Sequence, residues 1–152
     1  MDVLSSAREV IAARGLATGE TPVLLMVSGG SDSTALAYIA AELVRVGDIG
    51  PVAMLHVNHK LRGADADDDA LFTARLADAL GIPLFACEIN VSGIAAAEGG
   101  NIEAVARRER YAAAHDALVA FSRRTLPTIA LRTSTCARSW ARAQAVSALC
   151  VT

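Results

Sequence analysis

Three short apolar runs, each bounded by turn residues, punctuate the chain. Val23-Leu24-Leu25-Met26-Val27 follows Pro22 and stops at Ser28-Gly29. Val52-Ala53-Met54-Leu55-His56-Val57 follows Gly50-Pro51, and Pro83 to Ile89 follows Gly81. Continuous apolar runs of this length predict strands covered on both faces, as in a parallel sheet. Between them the pattern takes the helical period. Asp2 to Ala13 predicts a short amphipathic helix ended by Gly15. Leu36, Ile39, Ala40 and Leu43 predict a second helix, capped by Ser33 or Thr34 and broken from Gly47 to Pro51. A polar loop from Asn58 to Ala64 leads to a third helix over Asp65 to Leu80. Its expected inward face is Leu71, Ala74, Leu76 and Leu80, and Gly81 occupies the C-cap position. After Gly99-Gly100, Asn101 caps a helix running through Ala104, Val105, Tyr111 and Leu118. Strand and helix alternate, so the expectation is an α/β parallel sheet with right-handed crossovers, without repeats or coiled coil.

Composition adds limits. A chain of 152 residues fits one domain with its own core. The hydrophobic fraction is 53% but the aromatic fraction only 4%, so alanine-rich helices should dominate. Charges, Gly or Pro interrupt every apolar run before it could cross a bilayer. The start, Met1-Asp2-Val3-Leu4-Ser5, lacks the basic residues and apolar core of a signal peptide, which leads to the expectation of a cytoplasmic protein without membrane contact. Cys87, Cys136 and Cys150 form no CxxC pair and read as reduced, unpaired thiols. A net charge of −2 does not describe a general nucleic-acid binder. The charge is nevertheless uneven, with Arg107, Arg108, Arg110, Arg123 and Arg124 late in the chain and Asp65, Asp67, Asp68 and Asp69 in its middle.

The candidate chemistry begins at Ser28-Gly29-Gly30-Ser31-Asp32-Ser33, between a buried strand and a helix, where open α/β sheets place their ligands. Two glycines let the backbone take positive φ and approach an oxyanion closely. Successive N–H groups and the helix N-terminus present partial positive charge to phosphate. Ser28, Ser31 and Ser33 add hydroxyl donors. A buried Asp32 beside a polyphosphate would be repulsive unless Mg2+ bridges them or the carboxylate handles a proton, so Asp32 is the candidate catalytic and metal-binding residue. The loop lacks the GK[ST] ending of a Walker loop and is not a GxGxxG fingerprint.

Strand-SGGxDS-helix resembles the PP-loop ATP pyrophosphatases, which adenylate a substrate and release pyrophosphate. Two later segments narrow the resemblance. His56-Val57-Asn58-His59-Lys60-Leu61-Arg62, with Asp65 and Asp68 following, is similar to the His-x-x-His-x-Leu-Arg segment of tRNA(Ile)-lysidine synthetases. Asn101 to Tyr111 is similar to their N-x-E-x-x-A-R-x-x-R-Y helix. The resemblance covers about Val23 to Leu118. It implies a Rossmann-type PP-loop domain of the adenine nucleotide alpha hydrolase-like kind, with ATP phosphates and Mg2+ on the loop. It also implies a carbon–nitrogen ligase: the C2 oxygen of the anticodon cytidine of tRNA(Ile), anticodon CAU, attacks the α-phosphate, and the amine of L-lysine then displaces AMP to form lysidine. Arg107 and Arg110 become candidate phosphate or tRNA contacts, against the plainer reading of a solvated basic face with Glu103 and Arg107 at ion-pair spacing. His56 and His59, three apart at a strand end, need not share a face and read as packing or loop polarity rather than metal ligands.

The resemblance stops abruptly. Nothing after Phe121 matches the His-Thr-x-Asp-Asp motif and Gly-rich segment that family members carry next, so residues 1–121 read as an incomplete ATP-binding domain and 122–152 as a tail, out of frame or disordered. The genetic code tests this. Cys136 to Trp140 can be encoded TGC GCA CGA TCG TGG; with a preceding A it reads ATG CGC ACG ATC GTG, or MRTIV. The same shift across Arg124 to Ser134 allows HTADDRVENFY, and continuing to Thr152 allows GTGPGGFRSMRY. A frameshift near Val119 to Ser122 is therefore expected. Two other functions stand beside the leading one: a tRNA 2-thiolation enzyme of the same superfamily, disfavoured by the cysteine spacing, and a nucleotide-binding module without catalysis.

Overall fold

A computed structural model describes residues 2–60 and 64–125, the side chains from 66 onward after the gap. The tail after Thr125, including Cys136 and Cys150, lies outside the described residues, as do Leu61, Arg62 and the side chain of Asp65.

Eight elements follow in order: α1 (Val3–Arg14), β1 (Val23–Met26), α2 (Ser31–Arg45), β2 (Val52–Asn58), α3 (Ala64–Leu80), β3 (Leu84–Glu88), α4 (Val91–Glu98) and α5 (Ile102–Thr125). The strands form one parallel sheet in the order β1-β2-β3, with Leu25 opposite Met54 and Met54 opposite Leu84. Central β2 is buried along nearly its whole length, as its unbroken apolar run requires.

Successive side chains of β2 point to opposite faces and seed two cores. On one face Val52 and Met54 join Leu25 and Val27 of the β1 strand and its extension, under Ala37, Ala40 and Leu43 of α2 and Leu76 and Ala77 of α3. On the other, Ala53 and Leu55 meet Phe85 of β3 beneath Ala117 and Phe121 of α5. There the Phe85 and Phe121 rings meet edge to face, their centroids 6.5 Å apart. A third cluster, Val91, Ala95, Val105 and Ala106, joins α4 to α5.

Several expectations are corrected. The helix α2 starts at Ser31 with Gly30 as N-cap; Ser33 Oγ and Thr34 Oγ1 instead donate back to the Gly30 carbonyl, at 2.9 Å each. In α3, Leu71 is exposed, whereas Thr73 is fully buried because its hydroxyl donates to the Asp69 carbonyl at 2.8 Å. Tyr111 is likewise outside the core. The helix α4 was not foreseen. Asn90 caps it through the Gly93 N–H, and Gly99 ends it with φ 68°.

Candidate functional site

The segment Ser28–Ser33 carries the chain from the end of β1 into α2. Val27 N–H is held by the Leu55 carbonyl at 2.8 Å, which pins the loop to β2. Within the loop, Ser28 N–H donates to Ser33 Oγ at 3.3 Å and Gly30 N–H approaches Ser28 Oγ at 3.4 Å. Thr34 N–H begins the helical ladder by bonding Gly30 O at 3.0 Å. The amides of Ser31, Asp32 and Ser33 precede that first bond and point out of the helix end, where partial positive charge gathers. Gly29 adopts φ 91°, and a Cβ there would lie 2.8 Å from Asp69 Oδ1. The loop is thus a set of exposed amides and hydroxyls closed from behind by α3.

A cavity of about 530 Å3 opens beside it, lined by Met26, Ser28, Val57, Ala66 and other residues. Four functional side chains enter from separate elements: His56 from β2, His59 just beyond it, Asp69 from α3 and Arg110 from α5. His56 is buried, its Nδ1 2.9 Å from the Val27 carbonyl. Burial, then the nearby Arg110 and His56, hold the His59 imidazole below its ordinary protonation range. Arg110 thus brings positive charge to this wall, and its nearness disfavours a second charge on His59. Among the described residues Arg110 makes no ion pair, whereas Arg8, Arg45 and Arg108 are each bound to a carboxylate. Next to the cavity, buried Asn58 donates to Asp67 Oδ1 at 3.1 Å and accepts from Lys60 N–H at 2.8 Å. Lys60 Nζ bridges Asp67 and Glu88 at 3.0 and 2.8 Å, and these carboxylates raise its ammonium above the usual lysine range.

The sequence-derived candidates separate on this geometry. Ser28, Gly29, Gly30, Ser31, Asp32 and Ser33 stay together as one loop. Asp32 is not buried; it is exposed in the first turn of α2, its Oδ1 3.3 Å from Ser31 Oγ. Its carboxylate therefore faces solvent at the positive helix end, so no repulsive burial has to be relieved. Arg107 and Arg110 part company. Arg110 enters the cavity, while Arg107 stacks 5.3 Å over the exposed Tyr111 ring and forms no ion pair with Glu103 among the described residues. His56 and His59 do border a common cavity, but no group of three metal-ligating side chains occurs among the described residues. Asp69 is the site residue that pattern reading missed. Four neighbouring aspartates look alike in sequence, and only the helical turn directs this one to the loop. Cys87 is a free thiol, and burial pushes it up to about 11.

No helix among the described residues is long and apolar enough to cross a membrane. Residues 4–129 match the PP-loop domain family. Over 100 residues the chain is 38% identical to the tRNA(Ile)-lysidine synthase of Dehalococcoides mccartyi, covering 65% of this chain and 21% of that one. It is 44% identical over 94 residues to the enzyme of that name from Thermus thermophilus (62% and 17% covered). Against the one from Geobacter sulfurreducens it is 34% identical over 125 residues (82% and 26%). The chain thus spans about a fifth of the length of the first two relatives. A solved structure, the NAD+ synthetase of Burkholderia pseudomallei, aligns with TM-score 0.43 and 17% identity over 80% of this chain and 55% of that one. With the family match running from α1 through the loop and the whole of α5, the chain belongs to the PP-loop family.

Proposed function

We propose that the Ser28–Ser33 loop holds the phosphates of ATP in the reaction that joins L-lysine to C2 of the anticodon cytidine of tRNA(Ile). The observation that carries this reading is Arg110, which makes no ion pair among the described residues, beside the amides of Ser31 to Ser33 at the start of α2. A guanidinium without a carboxylate partner, next to the positive end of α2, is arranged for a polyanion. The relatives' names supply the substrates, and the reading extends them to this chain.

The chain's own groups then have distinct tasks. Amides of Ser31 to Ser33 and the hydroxyls of Ser28, Ser31 and Ser33 hold phosphate oxygens. Arg110 offsets the charge that develops on the α-phosphate while the cytidine oxygen attacks and pyrophosphate leaves. Asp32, exposed at the loop, offers a hard oxygen ligand suited to Mg2+, which would offset phosphate charge when bound. Fixing the cytidine oxygen against the α-phosphorus, and then the lysine amine against C2 of the adenylated cytidine as AMP leaves, supplies the rest of the acceleration. A second reading, ATP binding without turnover, is favoured by the short stretch of each relative that the chain spans.

The test is AMP release from ATP with tRNA(Ile) of anticodon CAU and L-lysine, alongside ATP binding. Lysine- and tRNA-dependent AMP that vanishes in R110A supports the ligase. Binding without AMP supports the module, and no ATP binding at all removes both.

A further inference from the structure

Two buried ring nitrogens bordering the loop-side cavity have no hydrogen-bond partner among the described residues. His56 is only 4% exposed, and its Nδ1 faces the Val27 carbonyl at 2.9 Å. A carbonyl only accepts, so Nδ1 must carry the proton and Nε2 is left as an acceptor. The Thr73 hydroxyl, 3.5 Å from Nδ1, does not alter this, because its proton goes to the Asp69 carbonyl. Among the described residues no donor reaches His56 Nε2, and His59 Nδ1 in the same cavity is also buried and unpartnered. Burying an acceptor without a donor is unfavourable unless something enters to satisfy it.

We infer that His56 selects the nucleobase of the nucleotide bound here, its Nε2 accepting a hydrogen bond from the exocyclic amine of adenine. The inference rests on the proposal that Ser28–Ser33 hold the ATP phosphates, since that anchors the other end of the ligand. Met26, Val57 and Ala66 provide apolar contact for a flat ring, and Arg110 stays with the phosphates. Guanine would present its O6 acceptor to the same nitrogen, so two acceptors would face each other with no proton between them. The Val27 bond holds the tautomer, so the neutral imidazole cannot turn Nε2 into a donor. That makes His56 a specificity-determining residue rather than one that takes part in adenylation.

The experiment measures binding of ATP, GTP and purine riboside triphosphate, which has hydrogen in place of the amine, to the full chain with Mg2+ by titration calorimetry. ATP is expected to bind about tenfold or more tightly than either of the others, because a site built around a hydrogen bond rejects a ligand lacking its partner. H56F should level the three ligands, and H56Q, which keeps an acceptor, should preserve their order. Because H56F also breaks the Val27 bond, the comparison in the unaltered chain decides even if that variant fails to fold. Equal affinity for ATP and purine riboside triphosphate overturns this inference while leaving the phosphate loop intact. Binding of none of the three overturns both.

Discussion

Gly29 meets two constraints at once, and they can be separated. Its φ of 91° lies in the region that side chains avoid, and a Cβ would also stand 2.8 Å from Asp69 Oδ1 and 3.1 Å from Asp69 Cβ. Backbone strain of this kind costs about 1–3 kcal/mol, and the close contact adds to it unless Asp69 swings away. G29A is therefore expected to lower unfolding free energy by at least that amount in urea titrations and to weaken ATP binding, because the loop amides shift with the backbone. D69A in the same chain should restore only part of the loss, since it removes the carboxylate contact but neither the dihedral nor the approach to the residue-69 Cβ. Full restoration by D69A would show that φ contributes nothing, and an unaffected G29A would mean that Gly29 is not packed against Asp69.

At the scale of elements, α5 both fastens the sheet and aims Arg110. Phe121, 4% exposed, packs edge to face on Phe85 one turn before the described helix ends, while Arg110 projects into the cavity near its other end. F121A is expected to cost about 3–5 kcal/mol, as burial of an aromatic side chain is lost and a cavity is left. An effect below about 1 kcal/mol in chemical denaturation would mean that α5 is held elsewhere, chiefly through α4. The strands were legible because unbroken apolar runs between turn residues leave little choice of structure, and Gly15 and Gly81 marked helix ends by their left-handed φ. The helix α4 escaped notice because Val91–Glu98 is nearly all small or apolar and offers no contrast between faces. Leu71, expected inward, is exposed while Thr73 is buried, because hydropathy does not register a hydroxyl whose partner is a carbonyl in its own helix. The loop could be read locally, but the cavity could not: His56, Asp69 and Arg110 stand far apart in sequence and meet only through the parallel register and the helix that crosses back over it.

For the whole molecule, the consequential feature is the outer side of β1. Among the described residues β1 pairs only with β2, and beside its free edge stand Leu16, Met26, Tyr111 and Leu118, exposed by 60%, 41%, 52% and 37%. Unpaired strand edges flanked by apolar side chains template pairing with another chain. The helix α5 lies on the sheet face opposite α2 and α3 and packs on both β1 and β2. A right-handed crossover from β3 through a helix on that face is the connection by which a further strand would reach the free edge of β1. We propose that a frameshift near Val119 to Ser122 replaced the segment suited to that edge, since the shifted frame spells HTADDRVENFY where the present one reads Arg124 to Ser134. Resequencing tests the frame itself, and an uninterrupted frame with an intact mass ending at Thr152 would refute a sequencing error. The physical consequence is tested by sedimentation at rising concentration. The present chain is expected to self-associate, M26K to reduce that association by placing a charge at the edge, and the frame-restored chain to stay monomeric with no further effect of M26K. If the present chain stays monomeric over the same range, the edge is already covered and the frameshift has no bearing on it. If the restored chain associates as strongly, the segment after α5 does not pair with β1.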